Sequence, residues 1–571
     1  MTTVAPTRTF RSFVFAPPSF AGSVGVLIFW WFSLTPSLLP RAWMMQAVVT
    51  GVSMAFGYAI GTLIGSIGAW LVHKTGWRGP DANVRKWARV AVAIAAALLL
   101  IVGVVLWQVW QTEQRDLVGL PHQSFLLVAP MVAVAGLLFV ILFFVGRLIG
   151  YAIWRLDRFI DRHMPVILAR LIATVIVITV VVVLAQDVVG KGLLSYVDSK
   201  FGSVDATTAP GIVQPTTAVV SGSPDSFAEW DTLGFEGRNF VAGGVSAEAL
   251  AAFDGPQDEV LEPIRVYAGL DSAGSVQERS DLIVQELERT GAADREILVV
   301  AAVTGTGWID PDAAHAIEYM HGGDTAIAGQ QYSFLPSWIS FMVDQSKSAE
   351  TGKALYGTVH EWWSRLPEDD RPRLIVFGES LGSYGSESGL VGASAADSVA
   401  NAAGGSSGVL WTGPTNSNPI WEQLVEAREP DSPVWRPVYD DGTEVQVANR
   451  PEDVPIDDVS WRLPRVLYFH HPSDPVGYWN WETLWRQPEW TQDPKGYDVS
   501  PRAGWFPFVT FTQVVADLIA GFDAPSGFGH NYNVDFVTGW TAVAPAEGWT
   551  PEHGARLEQI ISHGDGASSS G

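Results

Sequence analysis

A serine at position 380 stands in a pattern that could make it a nucleophile. The apolar run 373–378 leads directly into Gly378-Glu379-Ser380-Leu381-Gly382, which has the form Gly-x-Ser-x-Gly. Such a serine can lie on a tight turn from a strand into a helix, where bulkier neighbours would clash with both elements. Its hydroxyl is then exposed at the carboxyl edge of the sheet. The pattern therefore predicts a catalytic Ser380, against the alternative of an ordinary serine at a helix start.

A second serine fits the same pattern. Gly404-Gly405-Ser406-Ser407-Gly408 precedes a predicted strand at 408–412, whereas Ser380 follows one. Ser406 would therefore lie in a loop at the opposite edge of the sheet, where a nucleophile of this type is not found. The context favours Ser380.

A nucleophilic serine needs a base, and the base needs an acid that orients it. The predicted strand 465–470 continues into His470-His471-Pro472-Ser473-Asp474, so Asp474 is the predicted acid; the alternative is a loop carboxylate that begins a turn. Three histidines follow it, and only His530 lies in a compact turn of glycines and aromatic residues. His530 is the predicted base, with a structural turn histidine as the alternative.

The loop after the predicted strand 296–303 could supply backbone donors to an oxyanion. It reads Thr304-Gly305-Thr306-Gly307-Trp308, and its glycines permit close approach of the backbone. We expect one oxyanion donor among Gly305, Thr306 and Gly307, and the other to be the amide of Leu381. A phosphate-binding loop would need a following Lys-Ser/Thr or a third spaced glycine, and neither is present.

The sequence indicates neither a metal site nor a cofactor. His470 and His471 are adjacent, but no third ligand is spaced to complete a zinc site with them. The chain contains no cysteine, which excludes disulfides and thiolate ligands. We therefore expect chemistry carried by side chains alone.

Alternating strands and helices must position these residues. The predicted strands are 264–268, 296–303, 326–334, 373–378, 408–412 and 465–470, and the predicted helices are 275–290, 311–320 and 346–365. This alternation is typical of a mostly parallel sheet with helices on both faces. The domain is expected over 246–562, with insertions at 414–462 and 476–510. The second insertion holds five of the chain's 25 tryptophans, which suits either contact with lipid or glycan or a small satellite core.

The first third of the chain has a different composition. Residues 1–194 carry 15 Lys and Arg against 6 Asp and Glu, and the remainder carries 20 against 54. Apolar stretches at 20–39, 43–72, 88–110, 124–154 and 165–189 predict a domain of five transmembrane helices over 1–194. A linker is predicted at 195–245 and a disordered tail at 563–571. The acidic balance of the larger part argues against a nucleic-acid partner.

The distribution of Lys and Arg predicts the orientation in the membrane. Basic residues concentrate in the N-terminal tail and in the second and fourth loops. The N-terminus is therefore expected in the cytoplasm, and the C-terminal domain outside the cytoplasmic membrane. Gly57-x-x-x-Gly61-x-x-x-Gly65 suits close helix packing, either inside the bundle or against a second copy, which would give a homo-oligomer through the membrane helices.

Several segments together resemble one protein family. They are the basic multi-span N-terminus, GTGWID at 305–310, QQYSFLPSWISF at 330–341, GESLGS at 378–383 and HHPSDPVGYW at 470–479. In these segments the chain resembles the actinobacterial and proteobacterial membrane-anchored alpha/beta-hydrolase family, which has a hydrophobic N-terminal region. The resemblance covers nearly the whole chain. It implies a serine-hydrolase fold with a triad of Ser380, Asp474 and His530, but it supplies no substrate.

These patterns predict a membrane-anchored serine hydrolase or acyltransferase. The expected substrate is an acyl ester, in particular a lipid or glycolipid among the membrane lipids at the outer face of the cytoplasmic membrane. Hydrolysis and acyl transfer share an acyl-enzyme, so the sequence leaves both open. The alternative is a transporter or scaffold protein whose hydrolase-like domain only binds a ligand.

Overall fold

The computed structural model describes residues 9–75, 81–161, 165–184, 200–253, 255–257, 259–336, 339–341, 345–458 and 460–568. In chain order the helices are α1 Phe10–Val14, α2 Phe20–Ser33, α3 Trp43–Thr75, α4 Ala82–Leu117, α5 Val128–Ile160, α6 Val166–Leu184, α7 Gly234–Ala242, α8 Ala247–Phe253, α9 Val276–Thr290, α10 Pro311–Met320, α11 Ser346–Trp363, α12 Leu381–Leu390, α13 Ala395–Gly404, α14 Pro419–Glu426, α15 Val509–Gly521, α16 Phe536–Val543 and α17 Pro551–Ser568.

The chain divides into two compact units. The first comprises residues 1–195, 480–491 and 499–520, and the second comprises 196–479, 492–498 and 521–571. The segment between the predicted acid and the predicted base is therefore shared between them. Most of α15 belongs to the first unit, and its last residue, Gly521, belongs to the second.

Three helices in the described residues are long and apolar enough to cross a membrane: Trp43–Thr75, Arg89–Leu117 and Phe125–Ile160. They correspond to three of the five predicted spans. The prediction of a span at 20–39 is wrong because α2 has only 14 residues. At 1.5 Å per residue it is about 21 Å long, whereas the hydrocarbon core is about 30 Å thick. A helix is disfavoured at Thr35, which precedes Pro36.

The fifth predicted span, 165–189, corresponds to α6 over Val166–Leu184, which has 19 residues. Its apolar part, Leu168–Val183, is not among the three helices of the described residues that are long and apolar enough to cross a membrane. Residues 185–189 of the prediction lie outside the described residues.

The spaced glycines of the first unit pack α3 against α2. A Cβ atom at Gly61 would overlap the carbonyl oxygen of Ala21, and one at Gly25 would overlap that of Gly57. The backbones of the two helices therefore approach so closely that only glycine fits at these positions. Gly57 and Gly61 of the small-residue pattern therefore pack against another helix of the same chain.

The first unit also contains the later segment 499–520. The rings of Phe506 and Phe508 stack on Phe32 and Phe56, with centroids 4.2 and 3.8 Å apart. Within α15, Asp517 accepts a hydrogen bond of 3.1 Å from the amide of Leu38. These contacts join stretches of sequence that are hundreds of residues apart.

The second unit is built on a parallel sheet of seven strands. The strands are β1 Ile264–Ala268, β2 Ile297–Ala302, β3 Thr325–Gln330, β4 Arg373–Glu379, β5 Gly408–Thr412, β6 Val445–Ala448 and β7 Arg465–Phe469. Their spatial order is β1-β3-β2-β4-β5-β7-β6, and all six neighbouring pairs are parallel. Almost every strand residue is buried, as expected for a sheet covered on both faces.

All six predicted strands are present, and β6 was missed. It has four residues and lies within the predicted insertion 414–462. Because β2, β4, β5 and β7 are neighbours and parallel, the loops that follow them open at the same sheet edge. These loops contain the residues that the sequence singled out.

The stretches predicted as a linker and as a tail contain helical segments in the structure. In the predicted linker 195–245, α7 contributes buried Phe240 and Val241 to the core of the second unit, and Val220 forms a bridge with Arg265 of β1. Residues 195–199 lie outside the described residues. In the predicted tail 563–571, α17 continues to Ser568, and residues 569–571 lie outside the described residues.

Candidate active site

Ser380 lies on a strained turn between β4 and α12. Its backbone has φ 55° and ψ −124°, a conformation that non-glycine residues rarely adopt. The turn requires small neighbours, because a Cβ atom at Gly378 would lie 2.5 Å from the carbonyl oxygen of Gly382, and one at Gly382 would overlap that of Ala302. The local sequence thus permits a conformation that projects the serine from the end of the strand.

Ser380 is anchored to the neighbouring strand but remains at the wall of a cavity. Its amide donates a hydrogen bond of 2.9 Å to the carbonyl oxygen of Thr412, at the end of β5. The residue is 5% exposed and lines a cavity of about 550 Å³. The second candidate, Ser406, instead precedes β5, and its hydroxyl donates to the carbonyl oxygen of Ala402.

Asp474 follows β7 and is fully buried. Its Oδ1 atom accepts a hydrogen bond of 2.9 Å from the amide of Val476, in the turn that begins at Pro475. Burial alone would raise the pKa of Asp474, but the charge of His530 and its hydrogen bond hold that pKa below its ordinary value. The side chain is therefore a carboxylate at neutral pH.

His530, the predicted base, lies beside Asp474. Its Nδ1 atom is 2.7 Å from Oδ2 of Asp474. The backbone fixes the ring because the amide of His530 donates to the carbonyl oxygen of Gly521 at 3.0 Å. Its Nε2 atom has no hydrogen-bond partner among the described residues, and the ring lines the same cavity as Ser380. This arrangement leaves Nε2 available to a reacting group.

Tyr532 is a member of the site that sequence reasoning missed. Its buried hydroxyl donates a hydrogen bond of 2.8 Å to Oδ2 of Asp474, the oxygen that also faces His530. Its ring stacks on His471, with centroids 4.1 Å apart. The position of Tyr532 two residues after the predicted base was the only signal in the sequence.

The two adjacent histidines after β7 have separate environments away from the cavity wall. The ring of His471 lies 3.0 Å from both the carbonyl oxygen of Gly529 and Oδ2 of Asp535. Burial would lower the pKa of His471, but the charge of Asp535 raises it. Burial lowers the pKa of His470 to about 4, so that ring is neutral at pH 7.

The predicted oxyanion donors lie on two elements. Leu381 is the first residue of α12, where a helix amide has no intrahelical acceptor. Thr306 lines the cavity with Ser380. The amide of Gly307, in contrast, donates to the carbonyl oxygen of Thr304 at 3.0 Å and closes the turn. Gly305 lies between Thr304 and Thr306 in this turn, and it has further interactions.

The cavity wall is polar and acidic. It is formed by Thr304, Thr306, Trp308, Asp310, Pro311, Asp312, His315, Glu379, Ser380, Phe522, His530, Asn531 and Asn533. Burial and the nearby carboxylates raise the pKa of Glu379 well above its ordinary value. In the part of the chain that the structure describes, no group of three or more His, Asp or Glu side chains is arranged to hold a metal ion.

Comparison with protein families gives two adjoining matches. Residues 264–557 match the profile of an alpha/beta-hydrolase family, and residues 34–244 match the profile of the N-terminal region of an alpha/beta-hydrolase family. The first match spans the sheet and all the site residues described above. Neither the curated proteins nor the solved structures include a match to the chain.

Proposed function

Because the chain belongs to the alpha/beta-hydrolase family, we propose that it is a membrane-anchored serine hydrolase or acyltransferase with a Ser380–His530–Asp474 triad. The observation that carries the proposal is the 2.7 Å contact between His530 and Asp474, with Nε2 of His530 and the strained Ser380 at one cavity. The contact between base and acid is one that an activated serine requires, and the cavity brings Ser380 and the imidazole to one wall.

The proposed reaction begins when Oγ of Ser380 attacks the carbonyl carbon of an acyl ester. Nε2 of His530 accepts the hydroxyl proton, and the amides of Leu381 and Thr306 stabilise the oxyanion. The carbon–oxygen bond to the alcohol breaks, and His530 returns the proton to this leaving group. Water or an acceptor alcohol then cleaves the acyl-enzyme in the reverse sequence of proton transfers. Asp474 remains ionised and orients the imidazole throughout.

We place the substrate among membrane lipids or glycolipids at the outer face of the cytoplasmic membrane. Three helices are long enough to cross a bilayer, and large apolar side chains on them, such as Ile101 and Leu137, are exposed. Trp481 and Trp485 in the insertion are 61% and 65% exposed, as suits rings at a lipid–water boundary. On this proposal, the purified protein in detergent hydrolyses long-chain esters better than short ones.

A fluorophosphonate probe tests the proposed nucleophile. Such probes modify activated serines, so we expect labelling of the full chain that is abolished by Ser380→Ala. Ser406→Ala is the matched control because Ser406 occupies the second Gly-x-Ser-x-Gly-like stretch, and it should be labelled like the wild type. Absence of labelling in a folded wild-type protein would reject the enzyme and favour a ligand-binding role.

A further inference from the structure

The catalytic cavity carries an unbalanced set of acidic side chains. Asp310, Asp312 and Glu379 line it, and no lysine or arginine is among the described residues of its wall. His315 also lines it, but burial and the charge of Arg265 lower the pKa of His315, so this ring is neutral at pH 7. The wall therefore has a negative electrostatic potential that no neighbouring cation in it offsets.

Glu379 is the acidic residue of the wall that has a buried carboxyl oxygen without a hydrogen-bond partner among the described residues. It is 6% exposed, and its Oε2 atom has no hydrogen-bond partner among the described residues. Burial, followed by the charges of Asp310, Asp312 and Asp474, raises the pKa of Glu379. A buried carboxyl oxygen without a donor costs free energy, and a positively charged ligand group would remove that cost. Glu379 adjoins Ser380, so such a group would lie next to the reacting ester.

The other side chains of the wall distinguish between kinds of cation. Trp308 and Phe522 line the same cavity, and aromatic faces attract organic ammonium groups. The described acidic side chains do not form a metal-binding group. Asp310 also has a structural role, because its Oδ1 atom accepts hydrogen bonds from the amides of Asp312 and Ala313 at the start of α10. These features fit a diffuse organic cation better than a coordinated metal ion.

We propose that the cavity selects esters carrying an organic ammonium group, which Glu379, Asp312 and Trp308 recognise. The ester chemistry in this inference rests on the proposed function, whereas binding of the cation does not require Ser380 to react. The proposed enzymatic function and the proposed cation site can therefore fail separately.

A pair of small ligands that differ mainly in charge tests the selection. Choline and 3,3-dimethylbutan-1-ol have the same shape, with nitrogen in one replaced by carbon in the other. Each is titrated against the full chain in non-ionic detergent, with sodium chloride added to match ionic strength, and binding is measured from the ligand-dependent rise in Tm. We expect choline to bind at least about tenfold more tightly than the neutral alcohol.

Two variants locate the selection in the cavity. Glu379→Gln keeps the size of the side chain and removes the carboxylate that a bound cation would stabilise, and it should reduce the preference for choline by at least about fivefold. Asp312→Asn should reduce it in the same direction, and it provides a second test if Glu379→Gln does not fold. Glu387→Gln is the matched control: Glu387 is a buried glutamate on the adjoining helix that does not line the cavity, so the preference should persist.

Each outcome supports or rejects the cation site or the proposed serine hydrolase. Equal binding of choline and the alcohol by the wild type overturns the inference, as does a choline preference that survives in both Glu379→Gln and Asp312→Asn. Fluorophosphonate labelling of Ser380 in the same preparation then shows whether the proposed enzyme stands without it. Conversely, a choline preference in a protein that the probe does not label would support the cation site and reject the serine hydrolase.

Discussion

The hydroxyl of Tyr532 donates a hydrogen bond of 2.8 Å to Oδ2 of Asp474. The same oxygen faces Nδ1 of His530 at 2.7 Å, so Tyr532 and His530 share one carboxylate oxygen. Tyr532 is not among the described residues that line the cavity, and its ring meets that of His530 edge to face with centroids 5.8 Å apart, so it would act through the aspartate and the imidazole.

Tyr532→Phe should lower kcat by about tenfold, because a hydrogen bond to a buried charged group is lost. The measurement is ester turnover with the protein in detergent, together with its Tm. Tyr468→Phe is the matched control, since the hydroxyl of buried Tyr468 donates to the buried carboxylate of Glu387 at 2.8 Å. The two variants should lose similar stability, and only Tyr532→Phe should lose activity. An equal effect of both variants on kcat would assign Tyr532 a purely structural role.

Asp474→Asn should reduce kcat by about 10³- to 10⁴-fold, because the amide cannot stabilise a positively charged imidazole and favours the wrong tautomer of His530. Turnover of a chromogenic ester under saturating conditions measures the loss. Asp498→Asn serves as the control: this buried carboxylate accepts from Ser473 beside Asp474 but makes no contact with His530. Retention of most activity in Asp474→Asn would remove Asp474 from the triad.

The environment of Glu379 predicts how stability depends on pH. Burial and neighbouring carboxylates raise the pKa of Glu379 in the native state, so folding takes up a proton between the ordinary pKa and the raised one. This contribution to stability is complete at low pH and is lost as the pH rises through that interval. The Tm of Glu379→Gln minus that of the wild type should therefore be larger at neutral pH than near the ordinary pKa of glutamate. A Tm difference that is the same at these two pH values would contradict the assignment.

The turn at Ser380 predicts a stability effect at one glycine. In Gly382→Ala the new Cβ atom would overlap the carbonyl oxygen of Ala302, which belongs to the neighbouring strand. We expect a loss of more than about 2 kcal/mol in the free energy of unfolding, and loss of probe labelling. A Cβ atom at Gly404 would meet no atom within 4 Å, so Gly404→Ala should stay within about 1 kcal/mol of the wild type. Normal stability of Gly382→Ala would show that the turn can relax.

The proposed orientation in the membrane can be tested with single cysteines, because the chain has none of its own. Lys74→Cys lies in the basic segment that is expected in the cytoplasm, and Glu368→Cys replaces a side chain that is 88% exposed in the second unit. A membrane-impermeant maleimide should label Glu368→Cys in intact cells, and Lys74→Cys only after permeabilisation. The reverse pattern would overturn the interpretation of the basic loops.

The sheet could be predicted because its strands are short and buried and contain many β-branched residues. The runs IRVYA and RLIVFG each end where β1 and β4 end or within one residue of it. β6 escaped prediction because its four residues, VQVA, are too few to separate from a loop. Strand order and the identity of neighbouring strands depend on tertiary packing, which a single sequence does not display.

The residues of the candidate site could be proposed from the sequence to the extent that they depend on chain order and turn chemistry. Ser380, Asp474 and His530 could be found from strand ends and glycine-rich turns. The hydrogen bond between Leu38 and Asp517 joins residues 479 positions apart, so no local pattern indicates it. The number of spans was overestimated because hydropathy does not register where α2 stops.

The interleaving of the two units has a consequence for how such proteins can be inherited and recombined. The chain enters the first unit, leaves it, and returns between Asp474 and His530 before finishing in the second. A recombination event near residue 195 would therefore transfer the whole second unit together with two segments, 480–491 and 499–520, that belong to the first unit. A gene fragment beginning after residue 195 would encode Phe506 and Phe508 without Phe32 and Phe56, and Asp517 without Leu38. The alpha/beta-hydrolase part of the chain is thus expected to be inherited together with its own N-terminal region.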